Sequence, residues 1–184
     1  MDNNAQWQFE YLTTALNVKH DTTVLDLSNG ILTLAELLIP YLDAGNYQGN
    51  VVKKMTIKPE IDRTTFDSYD KFQHLDIIQN FNCTTKVDVD IAWEHEVFRH
   101  LAVYDAMLCL ANVGKVADRF FFAYNDQSQA PDRHINEKKS HPEVEFYYTE
   151  QQIITMCKHT GWKVTPAPIQ NHPDHLVIME AVKA

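Results

Sequence analysis

The stretch Thr22–Leu38, TTVLDLSNGILTLAELL, decides how this chain is read. Its first part, TVLDL, is β-branched and aliphatic and carries an acid at its end, the composition of a short buried strand. From Leu32 to Leu42 the period changes, and Leu34, Leu37, Leu38 and Tyr41 fall on one side of a helix. Pro40 gives that helix a kink or an early end. A tight turn with a single glycine, Gly30, joins the two. A strand that feeds straight into a helix is the opening unit of an α/β sheet.

Working outward, residues 6–17 carry Trp7, Phe9, Tyr11, Leu12 and Leu16 near helical spacing, within a predicted N-terminal helix of about residues 5–18. DAGNYQG (Asp43–Gly49) is turn chemistry. Residues 50–57 predict a second strand, 59–61 the start of a short helix, 72–77 a third strand and 86–93 a fourth. Residues 97–116 read as a helix. RFFFAY (Arg119–Tyr124) reads as a central fifth strand, because its aromatic run is unbroken. Residues 125–143 are polar, hold two prolines and predict a long loop or lid. YTEQQIITMCKHTGW is a helix with Thr149 as N-cap, Gln152 in the capping-box position and Gly161 as the stop. WKVTPAPI and HLVIMEAV close the chain as an antiparallel hairpin. Strands alternating with helices predict a parallel sheet covered on both faces, in one domain over residues 1–184.

Composition bounds the partners. With 184 residues, 45% hydrophobic and 22% charged, the chain is long enough to bury a sizeable core. A net charge of −9 argues against nucleic acid and anionic membranes, which select basic faces. Cys83, Cys109 and Cys157 are odd in number with no paired spacing, which fits a reducing compartment and neither a disulfide framework nor a zinc cluster. No basic-then-apolar leader opens the chain, and its apolar runs are too short to span a bilayer, so a soluble cytoplasmic protein is expected. A homodimer or a protein partner stays open.

Several stretches, in this order, are similar to one known family. TVLDLSNG resembles a strand ending V-L-D followed by G-x-G-x-G, and LLIPYLDAGNYQG resembles the segment leading into that family's second strand. IKPEI resembles its SPE turn, FQHLDI its third strand, EVFRHL the SVFTHL element after strand four, and YYTEQQIITMCKHTGWKV its late helix and following strand. Over about the whole chain this resembles the class I S-adenosylmethionine-dependent methyltransferases. The resemblance implies a Rossmann-like, doubly wound α/β fold: a seven-stranded, mostly parallel sheet with an antiparallel C-terminal hairpin. It further implies S-adenosylmethionine as cofactor and, if the chain is active, methyl transfer to a small-molecule acceptor.

The resemblance also distributes roles. Setting DLSNGIL on D-x-G-x-G-x-G puts Ser28, Gly30 and Leu32 at the three glycine positions, with Asp26, Ser28, Asn29 and Gly30 on the cofactor side. A glycine there lets the backbone approach the ligand where a Cβ would collide. Leu32 departs from the pattern and either enters the cofactor space or points into the core. Thr56 stands where the family has an acid for the ribose hydroxyls, a weaker acceptor than a carboxylate. Asp76, with Ile77 beside it, stands where the family meets the adenine; the alternative for Asp76 is a cap.

After strand four, WEHEVFRH supplies Glu94, His95, Glu96 and His100. Glu94 is counted with the cofactor residues, His95 is the first candidate general base and His100 the second. The alternative for all of them is a solvent-facing or capping helix start. Trp7, Phe9 and Tyr11 suit either a lid or packing. His172 and His175 flank Pro173 in a turn, and neither they nor the cluster after strand four match the HExxH spacing, so no metal is expected. With Leu32 and Thr56 altered, the competing reading is a non-catalytic relative acting as a binding or scaffolding subunit.

Overall fold

The computed structural model describes residues 3–28, 34–52, 75–83, 85, 88–131 and 139–184. Its strands are β1 (Val24–Ser28), β2 (Tyr47–Val52), β3 (Leu75–Ile78), β4 (Ile91–Glu94), β5 (Arg119–Asp126), β6 (Tyr147–Tyr148), β7 (Trp162–Pro166) and β8 (Val177–Lys183). Its helices are α1 (Asn3–Glu10), α2 (Ala35–Tyr41), α3 (Val103–Val113) and α4 (Glu150–His159). A π-helical turn, Tyr11–Ala15, prolongs α1.

The sheet runs β3-β2-β1-β4-β5-β8-β7, with two-residue β6 added beside β5. β1 pairs in parallel with β2 and β4, β2 with β3, and β4 with β5. The last two strands reverse: β8 is antiparallel to both β5 and β7. This is the α/β architecture expected, a mostly parallel seven-strand path with an antiparallel C-terminal hairpin.

Strand periodicity sorts β5 onto two faces. Phe120, Phe122 and Tyr124 enter a core with Phe98, Leu110 and Ile153, under α3 and α4. Phe121 and Ala123 enter the opposite core with Leu12, Leu38 and Trp93, under α1 and α2. Each such phenylalanine contributes about 1.5–3 kcal/mol by leaving water. No helix among the described residues is long and apolar enough to cross a membrane.

Local expectations hold where the signal is local. α4 starts on a complete capping box, Gln152 N–H to Thr149 Oγ1 and Thr149 N–H to Gln152 Oε1. It stops before Gly161, whose φ of +86° only glycine adopts freely. Elsewhere tertiary pairing overrides propensity. Tyr47, Gln48 and Gly49 belong to β2, not to a turn, because β1 pairs with all three and β3 with Gly49. The helix expected over 97–116 is split: Phe98–His100 is a 3-10 turn, Ala102 is extended, and α3 begins at Val103. Within the predicted lid, the Ser140 hydroxyl accepts from Ala102 N–H and donates to Asp105. Just beyond it, Phe146 N–H donates to Arg99 O. The short helix expected at 59–61 lies outside the described residues.

Candidate functional site at the carboxyl edge of the sheet

Strand order reverses between β1 and β4, so their carboxyl ends flank the crevice where α/β sheets bind ligands. Asp26 and Ser28 come to it from β1, and Glu94 and His95 from the end of β4. Ser28 is the last residue of β1, while Asp76 and Ile77 lie in β3 opposite Asn50 and Val51. Asn29, Gly30, Leu32 and Thr56 lie outside the described residues.

Asp26 is 5% exposed, and its Oδ2 accepts from the Tyr47 hydroxyl over 2.9 Å. Burial pushes its carboxyl up to about 7, against the pull of the Tyr47 bond. Burial, then the Asp26 charge, pushes the Tyr47 hydroxyl up in turn. Asp26 is therefore an acid that titrates near neutrality.

Glu94 is fully buried and faces the protein. Its Oε2 accepts from the backbone N–H groups of Val97 (2.5 Å) and Phe98 (3.2 Å), and its Oε1 from Ala123 N–H (3.0 Å). Burial lifts the carboxyl to about 8 while these three donors hold it down. The side chain clamps β4 to β5 and folds the following turn. That clamp also caps the 3-10 turn Phe98–His100, since the first N–H groups of a helical turn have no partner inside it.

His95 and His172 form the least expected feature. His172 sits in a turn beside Pro173, yet it is 4% exposed, and His95 is 7% exposed. Tyr124 of β5 pairs with Val177, so the β7–β8 connection returns to the carboxyl edge and delivers His172 to His95. The two imidazoles stack with ring centroids 4.4 Å apart and planes 16° from parallel. The Trp7 ring lies over both, 5.7 Å from His95 and 4.9 Å from His172. Neither Nε2 has a hydrogen-bond partner among the described residues.

Tautomers follow from the other ring nitrogen. His172 Nδ1 accepts from Asp174 N–H over 3.0 Å, so its Nε2 carries the hydrogen. His95 Nδ1 faces Glu96 Oε1 at 3.8 Å, which favours the hydrogen on Nδ1 and leaves a lone pair on Nε2. Burial, helped by neighbouring His172 and Arg99, lowers His95 to about 3; burial lowers His172 to about 4. Both rings are neutral at physiological pH. His95 in this state is a hydrogen-bond acceptor and a weak base. His100 turns away: its Nδ1 meets Val144 O at 3.0 Å. Arg99 pairs with Glu145 and lies 3.7 Å from Asp174.

α1 is fastened over this edge. Trp93 Nε1–H donates to Gln8 Oε1 and the Tyr11 hydroxyl to Ile169 O, each over 2.9 Å. Among the described residues no group of three or more His, Cys, Asp or Glu side chains is arranged to hold a metal ion.

No protein-family model and no curated protein matches this sequence. Solved structures do. Magnesium protoporphyrin IX methyltransferase (ChlM) from Synechocystis PCC 6803 with bound SAM aligns at TM-score 0.65 and 13% identity, over 98% of this chain and 78% of that one. A Burkholderia thailandensis 1,6-didemethyltoxoflavin-N1-methyltransferase, with its substrate and S-adenosylhomocysteine bound, aligns at TM-score 0.66 and 12% identity, over 100% and 79%. The methyltransferase domain of bacterial CtHen1-C gives TM-score 0.67 and 15% identity, over 99% and 100%. The strand order, the antiparallel closing hairpin and these likenesses agree: this chain has the fold of the class I S-adenosylmethionine-dependent methyltransferases.

Proposed function

We propose that the chain binds S-adenosylmethionine in the crevice between β1 and β4 and methylates a small-molecule acceptor beside His95. The observation that carries this reading is the reversal of strand order between β1 and β4, with a buried, neutral imidazole at the carboxyl end of β4 that has no partner at Nε2 among the described residues. Among the described acids, Asp26 suits the cationic end of such a cofactor, because a nearby positive charge stabilises a carboxylate that burial destabilises. Glu94 does not suit it, since backbone N–H groups occupy both its oxygens. When bound, the cofactor supplies an electrophilic methyl group on sulfur. The protein's share is then positioning in a site shielded from water. His95 accepts a hydrogen bond from the acceptor and aligns it, and α1 covers the edge.

One observation favours a second reading, a methyltransferase-fold subunit without turnover: the Trp7 ring lies against the histidine pair where an acceptor would sit. Isothermal titration calorimetry with S-adenosylmethionine and S-adenosylhomocysteine separates the two. Micromolar binding of either supports the enzyme. No heat, with an unchanged melting temperature, rejects the cofactor and leaves the subunit.

A further inference from the structure

Two imidazoles that are each more than nine-tenths buried, stacked at 4.4 Å and both lacking a partner at Nε2 among the described residues, make an unusual core contact. A buried polar atom left unpaired costs about 1–3 kcal/mol, so packing alone is a poor reason for two of them side by side. The two atoms are also unlike. His172 Nε2 carries a hydrogen, as the hydrogen bond to its Nδ1 requires, and the Glu96 acid 3.8 Å from His95 Nδ1 favours a lone pair on His95 Nε2.

We propose that His95 and His172 form a recognition site for a phenolic or enolic hydroxyl on a flat, uncharged ligand, with Trp7 as its cover. A hydroxyl satisfies both rings at once, donating to His95 and accepting from His172. A carboxylate sets a lone pair against the lone pair of His95, and an ammonium sets a hydrogen against that of His172. With the Trp7 cover displaced, the Tyr11 ring that it stacks on at 5.2 Å offers a flat ligand an aromatic surface. This names the acceptor class of the reading above and rests on its acceptor side only, because hydroxyl binding does not require the cofactor.

The test uses full-length protein labelled with 15N-histidine, phenol as the probe, and benzoate and benzylamine as controls. Phenol is expected to shift the ring nitrogens of His95 and His172 along one saturation curve, with the other seven of the nine histidines unmoved. Both controls bind at least about tenfold more weakly, the factor one hydrogen bond carries. His172→Asn keeps an acceptor for Asp174 N–H and deletes Nε2, and weakens phenol about tenfold. His172→Gln, which restores a donor near the Nε2 position, recovers part of the loss. Phenol binding that leaves these two rings unmoved, equal binding of all three probes, or no saturation of the folded protein overturns the proposal. If a variant does not fold, the wild-type spectra decide alone. Phenol shifts without calorimetric binding of S-adenosylmethionine leave this site standing and remove the cofactor reading; the reverse outcome removes this site only.

Discussion

Replacing Tyr47 with phenylalanine removes one hydroxyl from a position that is 1% exposed and leaves the ring in place. That hydroxyl donates to Asp26 Oδ2 over 2.9 Å and restrains a carboxyl that burial lifts to about 7. The cost therefore depends on pH. Near pH 5, at about two units below that value, folded Asp26 is protonated and the variant loses a neutral hydrogen bond, about 1 kcal/mol. Near pH 9 the carboxylate is charged, and the lost bond amounts to about 1.5–3 kcal/mol. In a chain of this length each kcal/mol moves Tm by about 2–4 °C. Tyr47→Phe should melt about 2–4 °C below wild type at the lower pH and about 3–12 °C below at the higher one. The folded pKa of Asp26 lies above its unfolded value, so wild type loses stability as pH rises through about 7. The variant, its carboxyl lifted further, loses stability faster. Circular dichroism melts at the two pH values measure both terms, and an equal deficit at each would refute the reasoning, because Asp26 would then carry the same charge throughout.

Glu94→Ala strips the partner from three backbone N–H groups, at Val97, Phe98 and Ala123, and should lower stability by about 4 kcal/mol. An unshifted urea midpoint would sink the clamp. Gly161→Ala should cost about 1–2 kcal/mol although no atom lies within 4 Å of the added Cβ, because its φ of +86° is the whole penalty; a melt within error of wild type would contradict that. Thr149→Ala removes the N-cap of α4 and about 1 kcal/mol, with Thr149→Ser restoring most of it in the same denaturation series. Between about pH 6.5 and 8 wild-type stability should fall, since folded Asp26 and Glu94 hold protons that the unfolded chain has released. His95 and His172, lowered by burial, oppose the fall near pH 6.5, where the unfolded chain still holds part of their protons, and stop opposing it above about 7.5, so the two acids set the net sign. A urea midpoint that rises over that range would reverse the sign of the argument.

Features whose cause lies within a few residues were readable in the sequence. The capping box at Thr149 and Gln152, the stop at Gly161 and the central aromatic strand β5 each follow from local spacing. Features caused by a distant partner were not. Gln48 and Gly49 are poor strand residues that become strand because β1 pairs with both. The break between Phe98 and Val103 has its cause in distant partners, since Ser140 takes Ala102 N–H and Phe146 takes Arg99 O, and the three N–H groups on Glu94 give it a structural partner set that its position alone did not suggest. Asp26 was legible as an acid at the crevice, but its exchange with Tyr47 was not, because the contact crosses strands. His172 was the largest omission. A His-Pro-Asp turn looks like surface until the antiparallel pairing of β8 with β5 folds it back over β4.

The balance between an open and a covered site is set by α1. Its hold on the carboxyl edge includes two hydrogen bonds, Trp93 to Gln8 and Tyr11 to Ile169, and the Trp7 ring on two imidazoles, beside the Phe9 ring on Tyr41 and the burial of Ala5 and Tyr11. Each hydrogen bond contributes about 1 kcal/mol net, and the Trp7 contacts about 1 kcal/mol more. Opening this edge thus costs at least about 3 kcal/mol. The lifted state of α1 is populated at no more than about 1%. A ligand that needs the lifted state binds at least about a hundredfold more weakly than its intrinsic affinity. Trp7→Ala removes only the ring share of that hold, so it should strengthen phenol binding by several-fold. A larger gain would mean that Trp7 occupies the ligand's own position, and a loss would mean that its ring is part of the recognition surface.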